Sequence, residues 1–144
     1  MPVLFDSSLY ITALRLGDLA AVALRRWSEK EPVWLSSVVL YELYAGTSSI
    51  DRRLVERLER DFQQANRIVL PNLKDWVDSG KLISRLAAKY HMEHIGRSRL
   101  TNDTLIALSA ARLGVTVFTA NERDFARIAE FRPFQWQVRH TLTS

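Results

Sequence analysis

The chain of 144 residues contains no cysteine, which excludes disulfide bonds, thiolate catalysis and zinc sites built on sulfur. No apolar run approaches the roughly 18 residues that a membrane-spanning helix needs. The N-terminus, MPVLFDSSLY, lacks a basic region followed by a long apolar segment, so no secretion signal is expected there. Internal repeats, low-complexity tracts and linkers are also absent. These absences predict one soluble domain over residues 1–144, located in the cytoplasm.

The composition is that of an ordinary globular protein, with 47% hydrophobic and 25% charged residues. The formal net charge is +4, from 20 basic and 16 acidic side chains. This is a mild bias toward polyanionic partners, and it leaves room for acidic residues to be concentrated at one point.

Short apolar runs alternate with helical patterns along the whole chain. Strands alternating with helices form a parallel sheet with both faces covered, so we predict a three-layer α/β/α sandwich around a mainly parallel sheet of about five short strands. In such a fold the ligand site lies beyond the carboxyl ends of the strands. Strands are predicted at residues 3–5, 33–37 and 115–119 and in RIVLP and FQWQV; helices are predicted before and after Gly17, in VVLYELYAG, over 51–66, after Pro71, over about 102–113 and in ERDFARIAEF.

Four of the acidic residues have unusual surroundings. Asp6 follows the apolar run VLF, and Glu42 has Val38, Val39 and Ala45 as its helical neighbours. Asp103 is predicted to open a helix whose same face is apolar, and Asp124 lies in the first turn of the helix after the fourth strand. Burying a charge costs several kcal/mol unless something compensates it.

Local explanations exist for three of these acids. Asp6 is a suitable N-cap for the first helix, and Asp103 at a helix start gains about 0.3–1 kcal/mol from the helix dipole. Asn121 and Asp124 have the spacing of a capping box. Glu42 has no such explanation, because it is predicted to lie in mid-helix and position 46 is Gly.

Taken together, the four acids favour a metal site. The parallel sheet brings strand ends and helix starts to one edge, where the carboxylates would repel each other and raise one another's pKa. Hard divalent cations such as Mg²⁺ relieve this repulsion. Two such ions about 3.5–4 Å apart can activate a water molecule and stabilise the leaving oxygen of a phosphodiester.

The segments LFDSS, VVLYELYAG, NDTLIALSAARLG and VFTANERDF together resemble the PIN-domain nucleases, and in particular the VapC toxins of prokaryotic toxin–antitoxin pairs. The resemblance runs from residue 3 to about residue 128. It implies that Asp6, Glu42 and Asp103 are the core metal ligands and catalytic acids, with Asp124 as the more variable fourth. Ser8 and Asn121 correspond to polar positions beside them and are candidates for binding the substrate.

The resemblance further implies Mg²⁺- or Mn²⁺-dependent endonucleolytic cleavage of RNA with one or two ions, a cognate VapB-like antitoxin, and a homodimer. Arg97 and Arg99, just upstream of Asp103, are candidates for contacting the substrate phosphates, with a solvated loop as the alternative. Two other functions remain open. One is a PIN-domain nuclease of RNA processing without an antitoxin, and the other is a non-catalytic α/β binding module with an acidic pocket.

Overall fold

The computed structural model describes residues 1–15 and 19–142, and within its helices it omits the side chains of residues 19–23, 94–96, 98 and 99. Its centre is a five-stranded sheet in the order β3-β2-β1-β4-β5, in which every pairing is parallel. The predicted sandwich with a parallel sheet is therefore confirmed. The strands are β1 Val3–Phe5, β2 Val33–Ser36, β3 Ile68–Val69, β4 Thr116–Thr119 and β5 Trp136–Val138.

Helices fill every connection between the strands. Gly17, which was predicted to separate the first two helices, lies outside the described residues. Among the described residues, no helix is both long and apolar enough to cross a bilayer. The helices are α1 Ser7–Leu14, α2 Leu19–Lys30, α3 Ser37–Gly46, α4 Arg52–Gln64, α5 Leu73–Tyr90, α6 His94–Leu113 and α7 Glu122–Phe131.

The strand order assigns the helices to two layers. The chain moves from β1 through β2 to β3 toward one edge, and then from β3 back across to β4 and β5. Since parallel crossovers are right-handed, the helices of the first part cover one face and those of the second part cover the other. Helices α1 to α4 form the first layer, and α5, α6 and α7 pack on one another in the second.

The central strand β1 carries the core. Val3, Leu4 and Phe5 are all fully buried, as expected for a strand covered on both faces. The ring of Phe5 contacts those of Trp27 and Phe118, with centroids 5.4 and 5.6 Å away. This packing fixes the carboxyl ends of β1 and β4 beside each other, which is where the candidate site lies.

The start of α6 differs from the prediction. The helix begins at His94 and not near residue 102, so the predicted loop that contains Arg97 belongs to its first turns. The hydroxyls of Thr101 and Thr104 bond to the carbonyls four residues before them, as helical threonines do, and α6 packs along α5. Gly114 ends the helix as predicted, with the positive φ of 69° that favours glycine.

Candidate active site

Asp6 lies directly after β1 and begins α1. Its carboxylate accepts hydrogen bonds from the Ser7 backbone N–H at 2.7 Å, the Ser8 hydroxyl at 3.1 Å and the Thr119 hydroxyl at 2.8 Å. The side chain thus caps α1, as the local explanation required. It is also buried, and burial raises its pKa although the three neighbouring hydroxyls and the backbone bond oppose this.

Ser8 and Thr119 tie the ends of the two central strands together. The Ser8 hydroxyl, which donates to Asp6, accepts the backbone N–H of Ala120 at 3.3 Å. Thr119 likewise donates to Asp6 and accepts the backbone N–H of Asn121 at 2.9 Å. Both hydroxyls therefore orient the Asp6 carboxylate and the loop after β4.

Glu42 lies in α3, the helix that follows β2 and is capped by the Ser36 hydroxyl. Its side chain is half-buried, and its Oε1 atom is buried with no hydrogen-bond partner among the described residues. Burial raises the pKa of Glu42, and the negative charge of Asp6 raises it further. The side chains of Ser7 and Asn102 oppose this shift. A buried carboxylate oxygen without a partner is costly unless a ligand or ion contacts it.

Asp103 is a mid-helix residue, because α6 begins nine positions earlier at His94. It gains nothing from the helix dipole, whose effect is confined to the first turn, so the dipole explanation for this aspartate is wrong. Its side chain is buried, and burial raises its pKa to about 8, helped by the negative charges of Asp6, Glu42 and Asp124. Asp103 thus lies within electrostatic range of the other three acids.

Asn121 connects the last two acids. Its Nδ2 atom donates to Asp103 Oδ2 and to Asp124 Oδ2, both at 3.0 Å. It does not cap α7 with its side chain, so the predicted capping box is not formed. Asp124 lies in the first turn of α7 as predicted, and its other oxygen is 3.4 Å from the Arg123 Nε atom.

The chemistry of these oxygens fits a hard divalent cation. Three of the acids have raised pKa values, and one buried oxygen of Glu42 has no partner among the residues described, which a cation at this point would correct. Within the described parts of the chain, however, no three Asp, Glu or His side chains stand close enough together to form a completed metal site. The side chains are instead held by Ser8, Thr119 and Asn121.

The structure describes the side chain of one of the two candidate phosphate-binding arginines. Arg97 is exposed in the first turn of α6, and its carbonyl accepts the Thr101 hydroxyl. The side chain of Arg99 lies outside the described residues. Thr119 is the site residue that the sequence analysis missed. A hydroxyl residue at the end of a predicted strand, at the same sheet edge as Asp6, was the available signal.

Comparisons with known proteins agree with this fold. The family model described as the PIN domain matches residues 3–131. No curated protein has a significant sequence match to this chain. Among solved structures, VapBC2 from Rickettsia felis bound to a promoter DNA fragment is 22% identical, with a TM-score of 0.67 over 96% of this chain and 99% of that one.

Two further structures have the same fold. DNA-bound VapBC from Salmonella typhimurium is 20% identical with a TM-score of 0.66, and covers 96% of this chain and 98% of its own. VapBC-1 from nontypeable Haemophilus influenzae is 21% identical with a TM-score of 0.59, over 96% and 98% of the two chains. At these identities the similarity to solved structures shows only a shared fold, whereas the match to the family model shows membership of the family. The chain belongs to the PIN-domain family.

Proposed function

We propose that this protein is a Mg²⁺- or Mn²⁺-dependent endoribonuclease and the toxin of a type II toxin–antitoxin pair. The observation that carries the proposal is Asp103, a carboxylate buried in mid-helix whose pKa is raised by burial and further by the charges of three other acids. Such an arrangement is unfavourable for a structural aspartate and suits a cation ligand. Membership of a nuclease family supports the same reaction class.

Asp6, Glu42, Asp103 and Asp124 are the residues that would hold one or two divalent ions. When bound, the ions supply a water nucleophile at neutral pH and charge stabilisation at the leaving oxygen. The remaining residues position these ligands. Ser8 and Thr119 fix the Asp6 carboxylate, and Asn121 holds Asp103 and Asp124 on either side of one amide nitrogen.

The proposed partners are a VapB-like antitoxin and a second copy of this chain. The antitoxin is supported by the similar structures, which are VapBC complexes. The homodimer is supported by large apolar side chains left exposed on α3 and α5: Tyr41 is 65%, Leu73 79% and Trp76 55% exposed. Leu73 and Trp76 lie three residues apart and so share one side of α5, and exposed apolar groups of this kind mark protein interfaces. A location in the cytoplasm agrees with this assignment.

The proposal is tested with purified protein freed of any bound partner. We expect RNA cleavage with Mg²⁺ or Mn²⁺, and its loss with EDTA or in Asp6→Asn. Asp61→Asn, which removes an exposed carboxylate from α4, is the matched control and keeps full activity. Mn²⁺ is expected to raise the melting temperature of the wild-type protein and of Asp61→Asn, but much less that of Asp6→Asn.

Either of two results would contradict the proposal. One is cleavage that persists in Asp6→Asn at the wild-type rate. The other is a melting temperature that does not respond to Mn²⁺ in the wild-type protein, which would favour the non-catalytic binding module. If the purified protein cleaves RNA and no antitoxin binds it, the nuclease activity is supported and a role in RNA processing is favoured over that of a toxin.

A further inference from the structure

A face formed by α5 and α7 carries most of the unbalanced positive charge of the chain. Lys81, Arg85 and Lys89 recur every four residues on α5 and are exposed, so they form a line along the helix. We define the α5–α7 basic face by these six cations and two acids: Lys74, Lys81, Arg85, Lys89, Arg127 and Arg132, with Asp78 and Glu130. Its excess of four positive charges equals the net charge of +4 of the whole chain.

Aromatic rings hold the cations of this face in place. The Arg127 guanidinium lies over the Tyr90 ring, 4.2 Å from its centroid, and the Arg85 guanidinium lies over Phe131 at 4.6 Å. Lys89 is within 5.2 Å of the Tyr90 centroid. A guanidinium stacked on a ring keeps its N–H donors free at its edge. The rings therefore order the arginines while their donors stay available.

The acids of this face do not neutralise it. Among the described residues, Glu130 pairs with Lys89 and also accepts from Tyr90, and Asp78 pairs with Lys74. Arg85 and Arg127 form no ion pair within that part of the chain, although Arg127 is near enough to lower the pKa of Glu130. Two ordered guanidinium groups thus lack a carboxylate bound directly to them.

The face adjoins the candidate active site. Arg127 follows Asp124 by three residues, which places the two on the same side of α7, one turn apart. Phe131 lies a further turn away, so Asp124 and Phe131 are about 10 Å apart along the helix. The ring–guanidinium contacts follow both helices. Tyr90 at the end of α5 contacts Arg127, and Arg85, about one turn earlier on α5, contacts Phe131, one turn later on α7. A polyanion entering at Asp124 would therefore meet an ordered row of cations beside it.

We propose that the α5–α7 basic face binds the sugar–phosphate backbone of the RNA that flanks the cleaved bond. This rests on the proposed function for the identity of the polyanion. The Tyr90 and Phe131 rings each lie under a guanidinium and are partly buried against the core, which leaves little ring surface for stacking bases, so the proposed contact is to phosphates and independent of base sequence. The face adds affinity along the strand and leaves the choice of cleavage site to the acidic site.

The test measures binding of a fluorescent single-stranded RNA in EDTA, where no cleavage occurs, as a function of salt. The variant Arg85→Gln/Lys89→Gln/Arg127→Gln is compared with Arg26→Gln/Arg53→Gln/Arg60→Gln, which removes three exposed charges from α2 and α4 in the other layer. Each phosphate contact with a single strand contributes about 0.7 to the slope of log affinity against log salt, so we expect the first variant to lose about 2 from this slope. The second variant is expected to keep the wild-type slope.

A conservative variant separates the effect of the charges from that of the stacking on the rings. Arg85→Lys/Arg127→Lys keeps the charges and loses the stacking, and is expected to retain most of the salt slope. Equal slopes in the wild-type protein and the Gln variant would overturn the proposal, and RNA binding that stays unchanged while a protein partner is lost would assign the face to that partner. Since binding is measured without metal, failure of cleavage in the proposed function does not affect the result. Where cleavage is observed, the Gln variant is expected to raise KM and leave kcat unchanged.

Discussion

Thr119 donates its hydroxyl to the carboxylate of Asp6, joining the ends of β1 and β4 across 113 positions of sequence. This bond lowers the pKa of Asp6 against the opposing effect of burial. In the proposed metal site a ligand carboxylate must be ionised to bind a cation, so Thr119 would position Asp6 and favour its charged form.

We therefore expect Thr119→Val to raise the pKa of Asp6 further. RNA cleavage at pH 7 should fall by about tenfold, the equivalent of the roughly 1.4 kcal/mol that one hydrogen bond to a charged group contributes. The pH–rate profile should move to higher pH, and Thr119→Ser should restore it. Thr116→Val, which removes a buried hydroxyl bonded to Gln135 from the same strand, is the control and should leave the profile unchanged. A profile that does not move in Thr119→Val would show that the bond only stabilises the fold.

Asp103 makes the stability of the metal-free protein depend on pH. Its pKa is about 8 in the folded state against an ordinary value of 3.8, so between these values the folded state binds a proton that the unfolded state does not. The free energy of unfolding therefore falls as the pH rises from about 4 to about 8. Denaturation in EDTA should show this fall for the wild-type protein and a weaker one for Asp103→Asn.

At pH 8 we expect Asp103→Asn to be more stable than the wild-type protein without metal, because the substitution removes a repelled charge. Saturating Mn²⁺ should narrow or reverse this difference, since the ion stabilises the protein that holds all its ligands. A lower melting temperature for Asp103→Asn throughout the range would show that this side chain stabilises the fold by its hydrogen bond to Asn121.

The ion pair between Arg112 and Asp75 is expected to be the most important one for stability. Asp75 is buried at the start of α5, where it exchanges hydrogen bonds with Asn72 and accepts from the Arg112 Nε atom at 3.0 Å. Arg112 also donates to the Leu70 carbonyl at 2.8 Å. Arg112→Leu should cost about 3 kcal/mol, because it leaves a buried carboxylate without its cation.

Lys74→Leu is the control for this prediction. It breaks the pair with Asp78 on the same helix, but both partners are solvated and the pair is expected to matter little. Chemical denaturation of both variants measures the difference. Equal losses would mean that Asp75 is satisfied by the α5 N-terminus alone.

The fold was predictable from the sequence because each strand is a short apolar run and each intervening segment is helical. Gly114 and Ser36 fixed a helix end and a helix start by their own chemistry. The beginning of α6 was not predictable in this way. The segment MEHIGRSRL has no helix-like apolar period of its own, and from His94 onward it is helical because it belongs to a long helix packed along α5.

The four acids of the candidate site could be singled out from the sequence, whereas Thr119 was not, and Ser8 and Asn121 were named as site residues only through the family resemblance. Isolated carboxylates in apolar surroundings are visible in a sequence, since they violate the expected pattern. Thr119 and Asn121 are ordinary residues for their positions in the polar and apolar pattern, and their roles depend on which strand ends become neighbours. The spacing suits Asn121 as a cap of α7, but its side chain is oriented so that Nδ2 donates to two carboxylates, and it accepts no capping bond from α7.

In the sheet, β4 lies directly beside β1, although it is made much later in synthesis of the chain. A ribosome releases Asp6 and Glu42 long before Thr119, Asn121 and Asp124, so a partly made polypeptide carries half of the acids and lacks both Thr119 and Asn121, which orient Asp6, Asp103 and Asp124 in the complete fold. Activity at this sheet edge can arise only after nearly the entire sequence has emerged. Truncated products should therefore be harmless to the RNA of the cell that makes them.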